Sequence, residues 1–226
     1  FMPPEDIRKA IDQGRQPPLS RYPKAAAYIR WGEKQGYQAN RTCANRSPWW
    51  TLPVETGNTF WAKELRERLG VFVAEDQLLA DCRLYVSELN SLEQAWLNSI
   101  TNLLIDEANA RQYGGGGGPR SIMVYEVNNL LILAISILNS SQRNNLLRAF
   151  ERMTSHEVRS IFEELGFPLC RERKCDHPEH PYEHVRPEAL TLEQVRAASP
   201  DRFELDRVVF DVLGLTDDER REVYRA

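Results

Sequence analysis

Apolar residues recur at helical spacing near the start of this chain, which has 226 residues. Residues 4–13 are predicted to form a helix. A second helix is expected over residues 22–36, because Pro23 suits the first turn of a helix and Gly36 suits its end. The segment that follows is polar and rich in turn residues until it reaches a pair of tryptophans.

The middle of the chain predicts strands and one long helix. β-Branched and aromatic residues cluster at 69–75, 82–89 and 121–127, and this composition is typical of strands. Ser91 is expected to begin a helix that extends to about residue 111, with Ser91 and Gln94 forming a capping box.

Short helices dominate the predicted structure from about residue 140 onwards. Residues 203–214 carry apolar side chains at helical spacing and end at a glycine. The apolar run at 130–138 is too short to cross a bilayer and is expected to be buried core. Three further capping boxes are predicted, namely Thr154 with Glu157, Thr191 with Gln194, and Thr216 with Glu219. We therefore predict an α+β fold with two parts, a mixed helix and strand domain over 1–139 and a helical C-terminal extension over 140–226.

Composition limits the class of protein. The chain is 42% hydrophobic and 27% charged, which is typical of a globular protein. It has neither an apolar segment of membrane-spanning length nor a secretory signal at its start, so no membrane partner is expected. Four cysteines without regular spacing favour a reducing, cytoplasmic location. The abrupt opening suggests a piece of a longer chain.

Charge is distributed unevenly along the sequence. Residues 1–53 contain nine Lys or Arg and four Asp or Glu, a balance of +5. The other 173 residues contain 20 and 29, a balance of −9, and together these give the net charge of −4. A basic N-terminal part on an acidic body is the pattern expected for a local contact with an anionic partner.

The segment "RTCANRSPWWTLP" at 41–53 has the chemistry of a DNA-reading surface. Arginine binds guanine, asparagine binds adenine, lysine binds phosphates, and tryptophan offers a flat face for stacking. A buried tryptophan pair, with one ring in the core and its neighbour half-exposed on a strand, is the alternative. The candidate DNA-binding residues of this segment and of the helix before it are Arg30, Lys34, Arg41, Asn45, Arg46, Trp49 and Trp50.

A run of five glycines, 114–118, lies just before Arg120. It has two interpretations, a flexible turn between helix and strand, or a loop whose backbone N–H groups approach DNA phosphates beside Arg120. Arg120 is therefore an eighth candidate for DNA binding.

The loop at 170–184 contains two of the four cysteines and three of the four histidines. A structural zinc site formed by Cys170, Cys175, His177 and His180 is one interpretation, since these side chains are the usual ligands of tetrahedral zinc. The spacing differs from that of common zinc modules, so a polar, proline-rich surface linker is the alternative.

Several segments together resemble the target-recognition region of N6-adenine DNA methyltransferases from restriction–modification systems. They are "YIRWGEKQGYQANRTCANRSPWWTLP" at 28–53, "RLYVSEL" at 83–89, "YGGGGGPRSIMVYEVNNLLI" at 113–132, "NSS" at 139–141 and the C-terminal stretch 202–226. The order "DCRLY" around Cys82 departs from the expected pattern.

The resemblance implies a specificity part without its catalytic part. Such enzymes transfer a methyl group from S-adenosylmethionine with an Asn/Asp-Pro-Pro-Tyr/Phe loop, which holds a flipped adenine. Here Pro-Pro occurs only in "MPPED" and "QPPLS", without a following aromatic residue. The expected partners are double-stranded DNA and an N-terminal catalytic domain that would bind S-adenosylmethionine, in a parent that could also carry a nuclease. The alternatives are a protein-interaction module that docks onto a catalytic or partner subunit and, more remotely, a metalloenzyme that uses the Cys/His loop.

Overall fold

The computed structural model describes residues 3–52, 55–112, 119–167 and 186–226. The chain divides into two compact units, which we call the N-terminal unit (residues 1–55) and the C-terminal unit (residues 56–226). Among the described residues, no helix combines the length and the apolar character that crossing a membrane requires.

The N-terminal unit is helical, and its two predicted helices are confirmed. Its helices are α1 (Glu5–Asp12), α2 (Pro23–Lys34) and the single turn α3 (Arg41–Ala44), with 3₁₀ turns at Leu19–Arg21 and Tyr37–Ala39. Pro23 occupies the first turn of α2, where the missing N–H costs no hydrogen bond. Gly36 follows α2 with φ +78°, a backbone conformation that ends the helix and favours glycine.

The C-terminal unit contains two small antiparallel sheets. Their strands are β1 (Thr56–Ala62), β2 (Glu64–Leu65), β3 (Phe72–Leu79), β4 (Leu84–Ser87), β5 (Arg111–Gln112) and β6 (Arg120–Ser121). The first sheet has the order β3-β1-β4, and the second has the order β2-β6-β5. In the first sheet Phe60 of the central strand pairs with Phe72 and Val86. The strands predicted at 69–75 and 82–89 are thus present, with shifted ends.

Helices of the C-terminal unit enclose two apolar clusters. These helices are α4 (Ser91–Leu97), α5 (Ile100–Asn109), α6 (Val124–Val127), α7 (Ser140–Thr154), α8 (Ile161–Glu164), α9 (Leu192–Ala198), α10 (Pro200–Leu213) and α11 (Asp217–Arg225). Trp61, Trp96 and Phe150 belong to the first cluster, and Phe210 and Tyr224 belong to the second. The α+β class is confirmed.

The compact units do not follow the predicted division at residue 139. Side chains from both sides of that position share the first apolar cluster, where Trp61 and Trp96 pack with Leu146 of α7 and Leu205 of α10. Burying these apolar faces together removes them from water, so the strands and the C-terminal helices form one unit.

Local hydrogen bonds explain where the predicted element boundaries differ. Asn90 caps α4 and Glu93 completes the box, one residue before the predicted pair of Ser91 and Gln94. The strand predicted at 121–127 stops at Ser121. A helical turn follows it, because the Glu126 carboxylate accepts the Met123 N–H at 2.7 Å.

The three capping boxes predicted in the C-terminal part have different outcomes. Thr216 forms a capping box with Glu219, as predicted. Thr191 caps α9, but its box is incomplete, because the Gln194 side chain donates to the Leu165 carbonyl at 3.0 Å instead. The prediction for Thr154 is wrong, because this residue ends α7. The helix over 203–214 is confirmed as part of α10, which ends at Gly214 with φ +70°.

The apolar run at 130–138 is only partly buried, contrary to the prediction. Leu138 is 4% exposed, whereas Leu131 is 69% and Ile137 is 59% exposed. Before a single 3₁₀ turn at Ile135–Ile137 the segment has no regular structure. Leu130 and Leu133 pack against the first apolar cluster, and the Trp96 indole donates to the Leu131 carbonyl at 2.8 Å. Three of its nine residues therefore reach the core, and five are exposed.

Candidate nucleic-acid interface

The N-terminal unit carries basic side chains without counter-charges. None of five Lys and Arg side chains makes an ion pair or a side-chain hydrogen bond with another residue in the described part of the chain. These five are Lys24, Arg30, Lys34, Arg41 and Arg46, and all except the half-buried Arg46 are exposed. Lys9 and Arg21 of the same unit differ, because Lys9 pairs with Glu5 and Arg21 pairs with Asp6. We call the five the unpaired cations.

The whole N-terminal unit is electropositive. It has nine Lys or Arg and five Asp or Glu, a balance of +4, which leaves −8 for residues 56–226. Most arginines of the C-terminal unit for which contacts are known bind a carboxylate, as Arg83 does with Glu64 and Arg152 with Asp201. Net positive charge is therefore found in the N-terminal unit, whereas the C-terminal unit is net negative.

Three exposed aromatic rings lie in contact on the N-terminal unit. Tyr28 and Trp31 of α2 stack with ring centroids 5.4 Å apart and planes at 27°, and Trp31 meets Tyr37 edge to face at 5.5 Å. Their exposed fractions are 70%, 46% and 40%. We call Tyr28, Trp31 and Tyr37 the aromatic ladder.

The candidate residues predicted from the sequence did not include Lys24 or the three rings of the aromatic ladder. The signal was present, because Lys24, Tyr28 and Trp31 are spaced four and three residues apart and so share one face of α2. An apolar face at this spacing is normally assigned to the core, whereas the buried face of α2 consists of Ala26, Ile29 and Gly32.

Trp49 and Trp50 lie in a turn after α3 and are both half-buried. The strand of the alternative interpretation is absent at these two positions. Trp49 packs against α2 at Gly32, and its indole N–H points to the Glu33 carboxylate at 3.5 Å. Trp49 therefore holds the turn that carries Asn45 and Arg46 against the helix that carries Arg30 and Lys34.

Substituting Gly32 with alanine is expected to disturb this contact. A Cβ atom at residue 32 would lie 2.7 Å from Cη2 of Trp49, so the indole must move. Alanine in a helix normally stabilises it by about 1 kcal/mol relative to glycine. We expect Gly32→Ala to show no such gain and to change the tryptophan emission spectrum. Ala27→Gly, at an exposed position of the same helix, measures the ordinary alanine–glycine difference of about 1 kcal/mol and should leave the emission spectrum unchanged. An unchanged spectrum with a stabilised Gly32→Ala would contradict the packing role of Gly32.

The predicted cluster around Arg41 surrounds one helical turn. Arg41 begins α3, and the exposed Asn45 and the half-buried Arg46 follow its end. Arg41 and Asn45 are one helical turn apart in sequence, so both can present hydrogen-bonding groups to the same partner.

Arg120 occupies a different environment from the one predicted. Its side chain is only 5% exposed, it lies on the central strand of the second sheet, and its guanidinium pairs with Glu107 at 3.4 Å. A buried cation requires such a carboxylate because burial removes its hydration. The residue that was predicted to contact phosphate is therefore enclosed within the C-terminal unit. The glycine run before it lies outside the described residues.

Asp106 lies close enough to Arg120 to interact electrostatically, yet burial raises the pKa of its carboxyl to about 6. The unfolded chain loses this proton near pH 4, so folding retains a proton between about pH 4 and pH 6. Asp106 therefore costs stability as the pH rises through that range. One of its oxygens, Oδ1, is buried without a hydrogen-bond partner.

We expect Asp106→Asn to stabilise the protein at pH 7 by about 1–3 kcal/mol, because the amide carries no charge to desolvate. The gain should shrink below pH 6 and vanish near pH 4. Urea unfolding at several pH values measures it. The exposed Asp76→Asn is the control and should change little. Loss of stability at pH 7 would show that the ionised carboxylate is needed.

The predicted zinc ligands Cys170, Cys175, His177 and His180 lie outside the described residues. Within the described ranges, no three His, Cys, Asp or Glu side chains are grouped so that they could hold a metal ion.

Comparison with known proteins identifies the family of the chain. No curated protein and no solved structure matches it. Residues 11–164, more than half of the chain, match the family described as "Type II methyltransferase M.Eco57I, C-terminal domain". The matched region includes α2, α3, the unpaired cations and the aromatic ladder. The chain therefore belongs to the family of C-terminal domains of type II methyltransferases related to M.Eco57I.

Proposed function

We propose that this chain is the DNA sequence-recognition part of an N6-adenine DNA methyltransferase of a restriction–modification system. The observation that carries the proposal is the set of five unpaired cations on the N-terminal unit of a methyltransferase C-terminal domain. A cation that has no counter-charge in its own protein is available to a DNA phosphate. Each such contact releases a counterion from the DNA and strengthens binding at low salt.

Base reading is assigned to the segment around α3. Asn45 can bind adenine and Arg41 or Arg46 can bind guanine through paired hydrogen bonds in the major groove. Arg30 and Lys34 of α2 position the unit on the phosphate backbone. Trp49 and Trp50 support this segment. Arg120 is left out, because its side chain is buried and paired.

The chemical step is assigned to another part of the parent enzyme. The sequence lacks the Asn/Asp-Pro-Pro-Tyr/Phe motif, and its family is described as a C-terminal domain. We assign the methyl donor S-adenosylmethionine to the catalytic domain, which would hold and methylate the adenine while this chain selects the sequence. Its partners are then duplex DNA and that catalytic domain.

Fluorescence anisotropy of the chain with a random-sequence duplex, measured across a salt series, tests the proposal. On a random-sequence duplex the base-reading arginines are expected to contact phosphates as well, so five contacts should make log K fall with log salt with a slope of about −4.5. Absence of binding at low salt, or binding that does not depend on salt, would overturn DNA recognition by this chain.

A protein-interaction module is the second candidate, and the partly exposed apolar run favours it. Leu131 and Ile137 present apolar surface to solvent, and Val124 is 54% exposed. Surfaces of this kind mark protein contacts. This function predicts salt-independent association with the catalytic part of the parent, which Leu131→Ser together with Ile137→Ser should abolish. Retention of binding by that double variant would count against it.

A further inference from the structure

The aromatic ladder offers a flat ring face that regular duplex DNA does not match. Tyr28 uses one face to stack on Trp31, and 70% of its side chain is exposed to solvent. A ring face pairs best with another ring face at stacking distance. In a duplex the faces of the bases are covered by their neighbours, and the grooves expose only base edges and the backbone. The partner that fits Tyr28 is therefore a base that has left the stack.

Charge on α2 points to the same kind of partner. Lys24 lies four residues before Tyr28 and Lys34 lies three residues after Trp31, so the cations precede and follow the stacked rings along the helix. Neither lysine is paired with a described carboxylate. An unpaired nucleotide combines a flat base with phosphates on both sides, and binding sites for single strands combine aromatic rings with cations in this way.

We propose that the aromatic ladder binds an unpaired base, which extends the stack on the outer face of Tyr28 while Lys24 and Lys34 hold the flanking phosphates. The inference rests on the proposed function, because it assumes that the N-terminal unit binds DNA. It adds recognition of an unpaired base to the duplex contacts proposed for the N-terminal unit. Enzymes that modify a base turn it out of the helix and leave its neighbours unstacked, so an unpaired base is available during such a reaction.

Two duplexes of equal length and sequence test the inference, one fully paired and one with a single unpaired nucleotide at its centre. Anisotropy at fixed salt should show that the chain binds the second duplex about 5- to 100-fold more tightly. Tyr28→Leu should remove this preference and leave both the affinity for the paired duplex and its salt slope unchanged. Tyr28→Phe keeps the ring face and should keep the preference. Because Tyr28 is exposed, neither substitution removes buried packing.

The outcomes separate the two proposals. Salt-dependent but equal binding of both duplexes would overturn the role of the ladder and leave the proposed function intact. A preference for the unpaired nucleotide that survives Tyr28→Leu would also overturn the assignment to the ladder. Binding of only the duplex with the unpaired base would support the ladder and contradict recognition of paired DNA. Absence of binding to either duplex would overturn both.

Discussion

Exchanging Arg30, Lys34, Arg41 and Arg46 for glutamine is expected to weaken duplex binding roughly 10³-fold at 0.1 M salt. Glutamine keeps much of the length of each side chain and removes its charge. On a random-sequence duplex, where Arg41 and Arg46 contact phosphates rather than bases, four phosphate contacts would therefore be lost. Each contact contributes about 0.9 to the slope of log K against log salt, and the slope should therefore become less negative by about 3.6. Anisotropy titrations at several salt concentrations give both numbers.

A matched control separates local contacts from net charge. Glutamine at Lys9, Arg21, Arg83 and Arg221 removes the same charge from residues that already pair with carboxylates. Their positive charge is neutralised within the protein, so this variant should lose less than about tenfold in affinity. Equal losses in the two variants would indicate a general charge effect and would remove the assignment of the interface to α2 and α3.

Proline and glycine at the ends of helices made several of those helices predictable. Pro23 and Gly36 bracket α2, and Gly214 ends α10, because proline and glycine restrict or permit particular backbone angles whatever surrounds them. The helix expected from Ser91 to 111 is interrupted at Asn98 and Ser99. Ser99 caps α5 locally, and a second contact comes from far away in sequence. Asp206, on α10, accepts the N–H of Ile100 at 2.8 Å and so helps to start α5.

The candidate site was predictable in composition but not in arrangement. The basic and aromatic residue types of 28–50 indicate an anionic, flat partner by their chemistry alone. Spacing along the chain could not show that Arg120 is enclosed, since its burial depends on β2 and β5 pairing on either side of β6. Nor could it show that Tyr28 and Tyr37 flank Trp31, because Tyr37 reaches that ring only after the turn that follows α2.

Arg202 is the residue on which the buried polar network of the C-terminal unit depends. It lies on α10 with its side chain 2% exposed. Its guanidinium pairs with the Glu164 carboxylate and donates to the Asn98 carbonyl at 2.9 Å. Asp206 is also fully buried, burial raises its pKa to about 6, and the positive charge of Arg202 counteracts that rise. One cation thus compensates two buried carboxylates.

Replacing Arg202 with methionine is expected to lower the free energy of unfolding by about 3–5 kcal/mol at pH 7, because two buried carboxylates lose their cation. The loss should be smaller at pH 5, where proton uptake neutralises part of that charge. Urea unfolding at both pH values measures it. Arg207→Met removes a cation from the same helix whose side chain is 42% exposed, and should cost less than about 1 kcal/mol.

A double variant tests the physical cause of this loss. If the cost arises from an uncompensated charge, adding Glu164→Leu to Arg202→Met should recover part of the stability. The second substitution removes one of the two buried carboxylates that have lost their cation. If methionine at position 202 simply packs badly, the second substitution should destabilise the protein further. A loss below about 1 kcal/mol in Arg202→Met alone would mean that water or local rearrangement already compensates Glu164 and Asp206. The junction between α4 and α5 would then be held without the ion pair of Arg202, by the hydrogen bond from Ile100 to Asp206 and by packing.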